Sequence, residues 1–271
     1  VQMTSGQPQR AGRPFVLASC SILPEKWNKE ENARKMLSFM ERSLRCGADV
    51  IAVPEGCLEG YVVMEAIEAN RGTELLNIAE PEDGEMIARF RGFCQKHRVH
   101  ALVCFCERER NEAFNTALWI GRNGETVGKY RKTHLNEGYN ADHRFNCTGA
   151  EIRAFDTEFG RAGVMICFDR RVPEVARCLA LDGAQFILNP SYGVYKGWND
   201  SVLVARAHEN QIPVVFVHPN KTLAVNEKGD ITFCREETDV ISRLTVTPRT
   251  SSSLLLSLRR PQLYGRITSL T

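Results

Sequence analysis

The sequence predicts an α/β protein in which helices cover mixed β-sheets. Two patterns support this prediction: short apolar strands alternate with amphipathic helices, and three successive strands in the middle of the chain have no helix between them. The 271 residues are 43% hydrophobic and 25% charged, as is usual for a globular protein. No repeat or low-complexity linker divides the chain, so we predict one domain over residues 14–271, with a C-terminal arm from residue 248.

The first half of the chain begins as strand, helix, strand. We expect the strands at residues 15–22 and 49–54. The helix between them is expected at residues 33–46, with Asn32 as its N-cap. A second helix is expected at residues 84–97. The three strands without an intervening helix follow at residues 101–107, 113–120 and 126–130.

The second half predicts a hairpin followed by alternating helices and strands. The hairpin strands are expected at residues 152–155 and 162–166. Helices are expected at residues 173–182 and 201–210, strands at residues 185–189 and 214–217, and two final strands on either side of a turn at residues 226–229.

Composition excludes several classes of function. The net charge is +2 with mixed signs throughout and no basic stripe, which argues against nucleic acid as a partner. No apolar run of about 18 residues predicts a membrane span. Residues 1–13 are polar and read as a flexible tail without the apolar core of a signal peptide. The ten cysteines form no CxxC pair, so we expect reduced thiols, a cytoplasmic protein and no metal site.

Three residues at predicted strand ends suggest acyl-transfer chemistry. Cys167 follows an apolar strand at the start of a turn into a helix, a position that favours a thiolate. Glu55 follows the strand segment I-A-V-P, where a dry pocket would suit a general base. Lys132 leaves a strand in V-G-K-Y-R-K-T-H-L and could stabilise an oxyanion. Each residue alone is ordinary, but together they supply a nucleophile, a base and a cation.

The sequence resembles the nitrilase (carbon–nitrogen hydrolase) superfamily at several ordered motifs. V-P-E-G-C-L-E-G-Y resembles the segment around the family's catalytic glutamate, which corresponds to Glu55. F-N-T-A and G-E-T-V-G-K-Y-R-K-T-H-L resemble the segment around its lysine, Lys132. G-V-M-I-C-F-D-R-R-V-P-E resembles the nucleophile segment, Cys167. The resemblance covers roughly residues 14–265 in the order expected for the family.

The resemblance implies a four-layer α-β-β-α sandwich with two mixed sheets, assembled as a homodimer or a higher homo-oligomer. It implies no metal and no organic cofactor. The expected substrate is a small linear amide or an N-carbamoyl compound, hydrolysed through a thioester with release of ammonia or an amine. A catalytically silent member that binds a small ligand or a protein is the alternative. A papain-type protease is disfavoured, since no cysteine–histidine pair is evident.

The resemblance leaves the rest of the site less defined. Many family members have a second glutamate after the lysine; here Glu137 is preferred and Asp142 is the alternative. C-F-D-R-R-V-P-E is most similar to N-carbamoyl-D-amino-acid amidohydrolases, in which paired arginines hold the substrate carboxylate. Arg170 and Arg171 would do so here, unless one of them pairs with a nearby acid. The remaining substrate-binding residues are expected to be Phe168, Asn189, Ser191 and Tyr192.

Overall fold

The chain folds into two facing six-stranded sheets with helices on their outer surfaces. The structure, a computed structural model, describes residues 12–136 and 144–269. The strands are β1 (Phe15–Ser21), β2 (Val50–Ala52), β3 (His100–Glu109), β4 (Glu112–Ile120), β5 (Thr126–Arg131), β6 (Phe155–Thr157), β7 (Gly160–Val164), β8 (Phe186–Pro190), β9 (Val214–His218), β10 (Lys221–Val225), β11 (Ile231–Arg235) and β12 (Val240–Val246). The helices are α1 (Lys29–Leu44), α2 (Val63–Glu68), α3 (Gly72–Ile78), α4 (Glu85–His97), α5 (Pro173–Leu181), α6 (Asn199–Asn210), α7 (Leu254–Ser257) and α8 (Gly265–Thr268).

Both sheets are mixed, and this confirms the predicted sandwich. The first sheet has the order β12-β1-β2-β3-β4-β5, with β1, β2 and β3 parallel to one another. The second has the order β11-β10-β9-β8-β7-β6, with β7, β8 and β9 parallel. Helices α1 and α4 lie on the first sheet, and α5 and α6 lie on the second. The parallel strands β2, β8 and β9 are buried along their whole length, as helix-covered strands should be.

Side chains from both sheets meet in the middle layer. Phe15 of β1 packs against Phe186 of β8 and against Phe159, with ring centroids 5.0 and 4.8 Å away. A polar contact also crosses between the sheets, where the hydroxyls of Ser19 and Thr222 lie 2.8 Å apart. Each hydroxyl thereby satisfies the other in a site without exposed surface. The parallel strands are thus stacked face to face with their carboxyl ends close together.

Three of the expected elements differ from the structure. The first helix begins four residues earlier than predicted, because Asn28 and not Asn32 is its N-cap. The predicted strand at residues 152–155 is displaced to β6, since Ile152 packs against the α5–α6 side of the core instead. Strand β12 was missed: its alternating buried and exposed residues were assigned to no element, yet it pairs with β1 along all seven residues. The three-strand meander β3-β4-β5 is confirmed.

Asn32 has a different task from the one predicted. Its side chain is 1% exposed, accepts from the Glu25 N–H at 2.7 Å and donates to the Leu58 carbonyl at 3.0 Å. Leu58 belongs to the loop that follows β2. The buried amide therefore joins the start of α1 to that loop, and the outer helix layer helps to position the loop.

The N-terminal end of the chain was predicted to be a flexible tail, and the C-terminal end was predicted to be an arm. Most of the predicted N-terminal tail, residues 1–11, lies outside the described residues. The segment from residue 248 forms α7, a 3₁₀ turn and α8, and exposes large apolar side chains: Leu254, Leu258, Leu263 and Ile267. Among the described helices, none combines the length and the apolar character that a bilayer span requires. The homodimer stays a prediction.

The two asparagines of α1 should differ in their effect on stability. We expect Asn32→Ala to lower the free energy of unfolding by about 2–4 kcal/mol, because it leaves buried backbone groups without partners. Asn28→Ala should cost about 1 kcal/mol, the usual effect of losing an exposed N-cap. Urea denaturation followed by circular dichroism measures both. Equal losses would contradict the assignment of Asn32 as a buried cross-link.

Candidate active site

Glu55 is a buried carboxylate held by donors from three parts of the chain. It lies three residues beyond β2 and has no exposed surface. Its Oε1 accepts from Lys132 Nζ and from Asn115 Nδ2, each at 2.8 Å. Its Oε2 accepts from the Tyr192 N–H, also at 2.8 Å. An ionised carboxyl only accepts hydrogen bonds, so these donors suit the charged form and fix its orientation.

Gly56 makes the turn after Glu55 possible. Its φ is +56°, in the left-handed region, and a Cβ added there would lie 3.0 Å from the Tyr61 Cα and 2.7 Å from Glu59 Oε1. Any larger residue would therefore combine backbone strain with a steric clash. The glycine in the sequence P-E-G thus lets the chain turn closely around the carboxylate.

Lys132 comes directly after β5 and is also fully buried. Its backbone N–H donates to the Asn115 carbonyl at 2.9 Å, and its own carbonyl accepts from the Gly149 N–H at 2.8 Å. These bonds hold the backbone so that the side chain reaches Glu55. The sequence places the two residues 77 positions apart, and the fold joins them as a buried ion pair.

Cys167 lies in a strained turn that starts a 3₁₀ helix, Cys167–Arg171, after β7. Its φ is +45°, which is unfavourable for any residue except glycine, and such strain is typical of functional positions. The Sγ–H donates to the Tyr192 carbonyl at 3.1 Å. Because the N–H of Tyr192 binds Glu55, a single residue contacts both the sulfur and the carboxylate.

The thiol of Cys167 is not a resting thiolate. Burial raises the pKa of the thiol above its ordinary value, and the negative charge of Glu55 raises it further, while Lys132 and Arg170 act in the opposite direction. Only five residues of 3₁₀ helix follow the sulfur, and burial is the largest influence on the pKa of the thiol. The sulfur needs a base to become a nucleophile at neutral pH.

Asp169 connects the two strand ends that carry Lys132 and Cys167. It has no exposed surface and accepts from the Ile166 N–H at 2.9 Å, the Tyr130 hydroxyl at 2.8 Å and the His134 N–H at 3.0 Å. Ile166 belongs to the turn at the sulfur, whereas Tyr130 and His134 flank the lysine. Asp169 therefore holds the two sheets together at the site and does not pair with an arginine.

A cavity of about 260 Å³ opens onto the sulfur. Its described lining consists of Tyr61, Met64, Asn136, Cys167, Phe168, Arg170, Arg171, Tyr192, Gly193 and Val194. Tyr61 and Tyr192 stack with ring centroids 4.7 Å apart and form one wall. The cavity therefore brings together four residues that were expected to bind substrate. Those four are Phe168, Arg170, Arg171 and Tyr192.

Asn189 and Ser191 do not line this cavity, contrary to expectation. Both are fully buried at the carboxyl end of β8. Asn189 donates to the Met165 carbonyl at 2.8 Å, and the Ser191 hydroxyl donates to the Asn189 carbonyl at 3.3 Å. They brace the turn that precedes Cys167. Glu137 and Asp142 lie outside the described residues.

The two neighbouring arginines have different surroundings. Arg170 is 2% exposed, and its guanidinium donates to Asn199 Oδ1 at 2.8 Å, to the Val194 carbonyl at 3.0 Å and to the Cys167 sulfur at 3.4 Å. Arg171 is exposed, and its guanidinium lies over the Trp198 ring, 3.8 Å from the centroid. Of the two arginines in the described lining, Arg171 is the one whose side chain is exposed at the open side of the cavity.

A larger groove, of about 830 Å³, lies elsewhere, beside α4 and the β3–β5 meander. Several of its charged side chains are paired with one another: Lys129 with Glu82 and Glu107, and Arg91 with Glu82. No set of metal-binding side chains is found in the described ranges, residues 12–136 and 144–269. The chemistry therefore centres on the smaller cavity.

Sequence reasoning missed three residues that organise the site. Asn115 binds Glu55, Asp169 connects the two sheets, and Asn199 holds Arg170. Asn115 lies in F-N-T-A and Asp169 in C-F-D-R-R, so two of them stand inside motifs that were recognised. No periodicity or spacing pattern indicated which atoms they would contact, since those contacts cross between distant segments.

Comparisons with known proteins match most of the chain. Residues 16–244 match the family model described as carbon-nitrogen hydrolase. A probable nitrilase of Schizosaccharomyces pombe is 30% identical over 210 residues, 73% of this chain and 72% of that protein. A citrullinase of Francisella tularensis is 27% identical over 217 residues, 76% of this chain and 73% of that protein.

Two further similarities, one to a curated protein and one to a solved structure, concern amidases. An N-carbamoylputrescine amidase of Solanum lycopersicum is 32% identical over 148 residues, 54% of this chain and 48% of that protein. An amidase from Nesterenkonia sp. AN1, solved with acrylamide, superposes with a TM-score of 0.76 at 16% identity, covering 97% of this chain and all of that one. At this identity the structural likeness shows the fold alone.

The contact between His134 and Asp169 should make stability depend on pH. The hydrogen bond to Asp169 raises the pKa of His134 above its ordinary value. A raised pKa means that the contact stabilises the fold fully below about pH 6.5 and that this contribution is lost as the pH rises through the folded-state pKa. We therefore expect His134→Gln to lower Tm more at about pH 5.5 than at about pH 8.5.

Thermal unfolding of the wild type and the variant at both pH values measures this difference. An NMR titration of the imidazole provides the independent control. An equal loss of Tm at the two pH values would contradict the assigned contact.

Proposed function

This chain belongs to the carbon–nitrogen hydrolase family, and we propose that it is a cysteine-dependent hydrolase of a small linear amide or N-carbamoyl compound. One observation carries the proposal. Glu55 and Cys167 contact the two polar groups of the same residue, Tyr192, while Lys132 donates to Glu55. A base, a nucleophile and a cation are thus joined through one residue, and the nucleophile and that residue line a cavity that a small substrate can enter.

In the first half-reaction, Glu55 takes the proton from the Cys167 thiol, and the sulfur bonds to the carbonyl carbon of the substrate. Lys132 and backbone N–H groups near Phe168 stabilise the oxyanion that forms. Glu55 then passes its proton to the departing nitrogen, the C–N bond breaks, and ammonia or an amine leaves a thioester on Cys167.

In the second half-reaction, Glu55 takes a proton from water, and the water oxygen bonds to the thioester carbon. The C–S bond then breaks, and the proton held by Glu55 returns to the sulfur. Glu137, or Asp142 in its place, is proposed as a second acid. The raised pKa of the buried thiol supports this scheme, because the acidic proton is still on the sulfur when substrate arrives.

We propose further that the substrate has a carboxylate at the end remote from the reacting carbon. The charged side chains in the described lining of the cavity are Arg170 and Arg171, and both are cationic. Citrullinase and N-carbamoylputrescine amidase are named for carbamoyl compounds, the first with a carboxylate and the second with an ammonium group. The exposed charge of Arg171 favours a substrate that has a carboxylate. Arg171 is the proposed anchor because its guanidinium lies at the open side.

The covalent mechanism predicts an activity that depends on one sulfur. We expect Cys167→Ala to reduce ammonia release across a panel of amides and N-carbamoyl amino acids by about a thousandfold or more. Glu55→Gln should act similarly, since it cannot accept the thiol proton. Cys178→Ala is the matched control: Cys178 is exposed on α5, so activity should be kept.

Mass spectrometry after rapid quenching should detect an acyl adduct on the peptide that contains Cys167. If no member of the panel releases ammonia or an amine while ligands still bind, the silent binding module replaces the hydrolase.

The proposed anchor predicts a selective change in KM. Arg171→Met should raise KM for an N-carbamoyl amino acid by about tenfold or more, the usual effect of losing a charge-assisted hydrogen bond. A neutral amide of similar size should be hydrolysed with an unchanged KM. Arg171→Lys should fall between the two, because it retains the charge without the planar fork. Steady-state kinetics on the pair of substrates decides; an equal change for both would rule out a carboxylate contact.

A further inference from the structure

We propose that Arg170 is a catalytic residue that hydrogen-bonds the Cys167 sulfur as it becomes negative, and that it does not hold the substrate carboxylate. This assignment separates the two neighbouring arginines, which the sequence had suggested would share one task. It rests on the proposed function only in supposing that the sulfur is the nucleophile.

The contact with the sulfur is direct. The Nη1 of Arg170 donates to Cys167 Sγ at 3.4 Å, within the usual range for a donor to sulfur. The thiol proton points the other way, toward the Tyr192 carbonyl at 3.1 Å. When that proton leaves, the sulfur faces a carbonyl oxygen that can only repel it. The guanidinium then becomes the partner that stabilises the negative charge.

The guanidinium is held in this position by hydrogen bonds within the protein. Its Nε donates to Asn199 Oδ1 at the start of α6, and its Nη2 donates to the Val194 carbonyl. The backbone carbonyl of Arg170 is held in turn by Arg206 Nε at 2.9 Å. Three of the five N–H groups of the guanidinium, one on each nitrogen, are therefore engaged within the protein. Arg170 is 2% exposed, so turning its guanidinium toward a bound substrate would break several buried hydrogen bonds.

A cation next to the Cys167 sulfur would offset the negative charge of Glu55 when the thiol ionises. Glu55 is the acidic residue near Cys167, and its negative charge opposes ionisation of the thiol. Lys132 and Arg170 are the cations that oppose Glu55 there. Lys132, however, is bound to Glu55 itself, so its charge is partly neutralised by the same carboxylate. The other titratable side chains in the described lining of the cavity are those of Tyr61, Tyr192 and Arg171. Arg170 is therefore the cation that acts on the sulfur without also binding the base.

The other groups that face Arg170 do not neutralise it. His218 lies on β9, and burial together with the charge of Arg170 lowers the pKa of this histidine to about 4, so it is neutral at pH 7. The rings of Trp198 and Phe216 lie 5.6 and 5.4 Å from the guanidinium carbon and favour a cation. The environment thus keeps the charge of Arg170 directed at the sulfur.

The test measures the sulfur itself, without substrate. The rate of iodoacetamide alkylation at Cys167 is followed by peptide mass spectrometry between about pH 7 and pH 9, where the rate follows the thiolate fraction. We expect Arg170→Gln to slow alkylation about tenfold at each pH, as when a cation near a thiol is lost. Arg171→Gln is the matched control and should stay within about twofold of the wild type, because its charge lies over Trp198 at the open side.

A second variant covers the risk that Arg170→Gln does not fold, which circular dichroism checks. Arg170→Lys keeps a cation but cannot form the same fork, so its alkylation rate should be intermediate. A folded Arg170 variant that alkylates as fast as the wild type overturns the proposal, whether or not any amide is hydrolysed. If the variants differ in alkylation rate as expected but the wild type hydrolyses no amide or N-carbamoyl compound, only the proposed function is overturned.

A kinetic arm separates this task from substrate binding. In the hydrolytic reaction, Arg170→Lys should lower kcat for neutral and for carboxylate-bearing substrates alike. If Arg170→Lys instead raises KM only for the carboxylate-bearing substrate, Arg170 is an anchor and the proposal is wrong.

Discussion

The buried ion pair between Glu55 and Lys132 is the constraint on which the site depends. Neither side chain has exposed surface, and two charges removed from water are unfavourable unless their geometry and remaining hydrogen bonds compensate for it. Here Asn115 and the backbone N–H of Tyr192 supply those bonds. The loop after β2, the end of β5 and the loop after β8 must therefore all be in place before the pair is satisfied. Such a pair contributes little net stability, but it permits few alternative arrangements of the site.

The sequence predicted those parts of the fold in which local pattern and final environment agree. Strands β2, β8 and β9 are continuous apolar runs, and the structure buries them between layers. Strand β12 was missed because it alternates buried and exposed residues late in the chain and pairs with β1, which lies more than 200 positions earlier. Asn32 was misassigned for a similar reason. An asparagine before an apolar run is typical of an N-cap, but its true partners, Glu25 and Leu58, lie in separate loops.

The site residues also divide into those that a local motif identified and those whose contacts depend on the fold. Glu55, Lys132 and Cys167 could be identified because each stands in a recognisable motif at a strand end. Asn189 and Ser191 also follow a strand beside the nucleophile, yet they turn toward the backbone that supports it. The direction of a side chain at a strand end depends on the loop geometry, which no sequence period encodes. The burial that raises the pKa of the Cys167 thiol likewise could not be predicted from the sequence, since it depends on the packing of distant segments.

The hydrogen bonds of Asp169 affect how freely residues elsewhere in the chain can be substituted. It joins the end of β5 to the turn after β7 through short hydrogen bonds, so the spacing between the lysine and the cysteine is set by one carboxylate. Core side chains far from this link can then be exchanged, and the layers can shift slightly, without altering the reactive geometry. A local brace of this kind separates the spacing of the reactive groups from the exact packing of the scaffold.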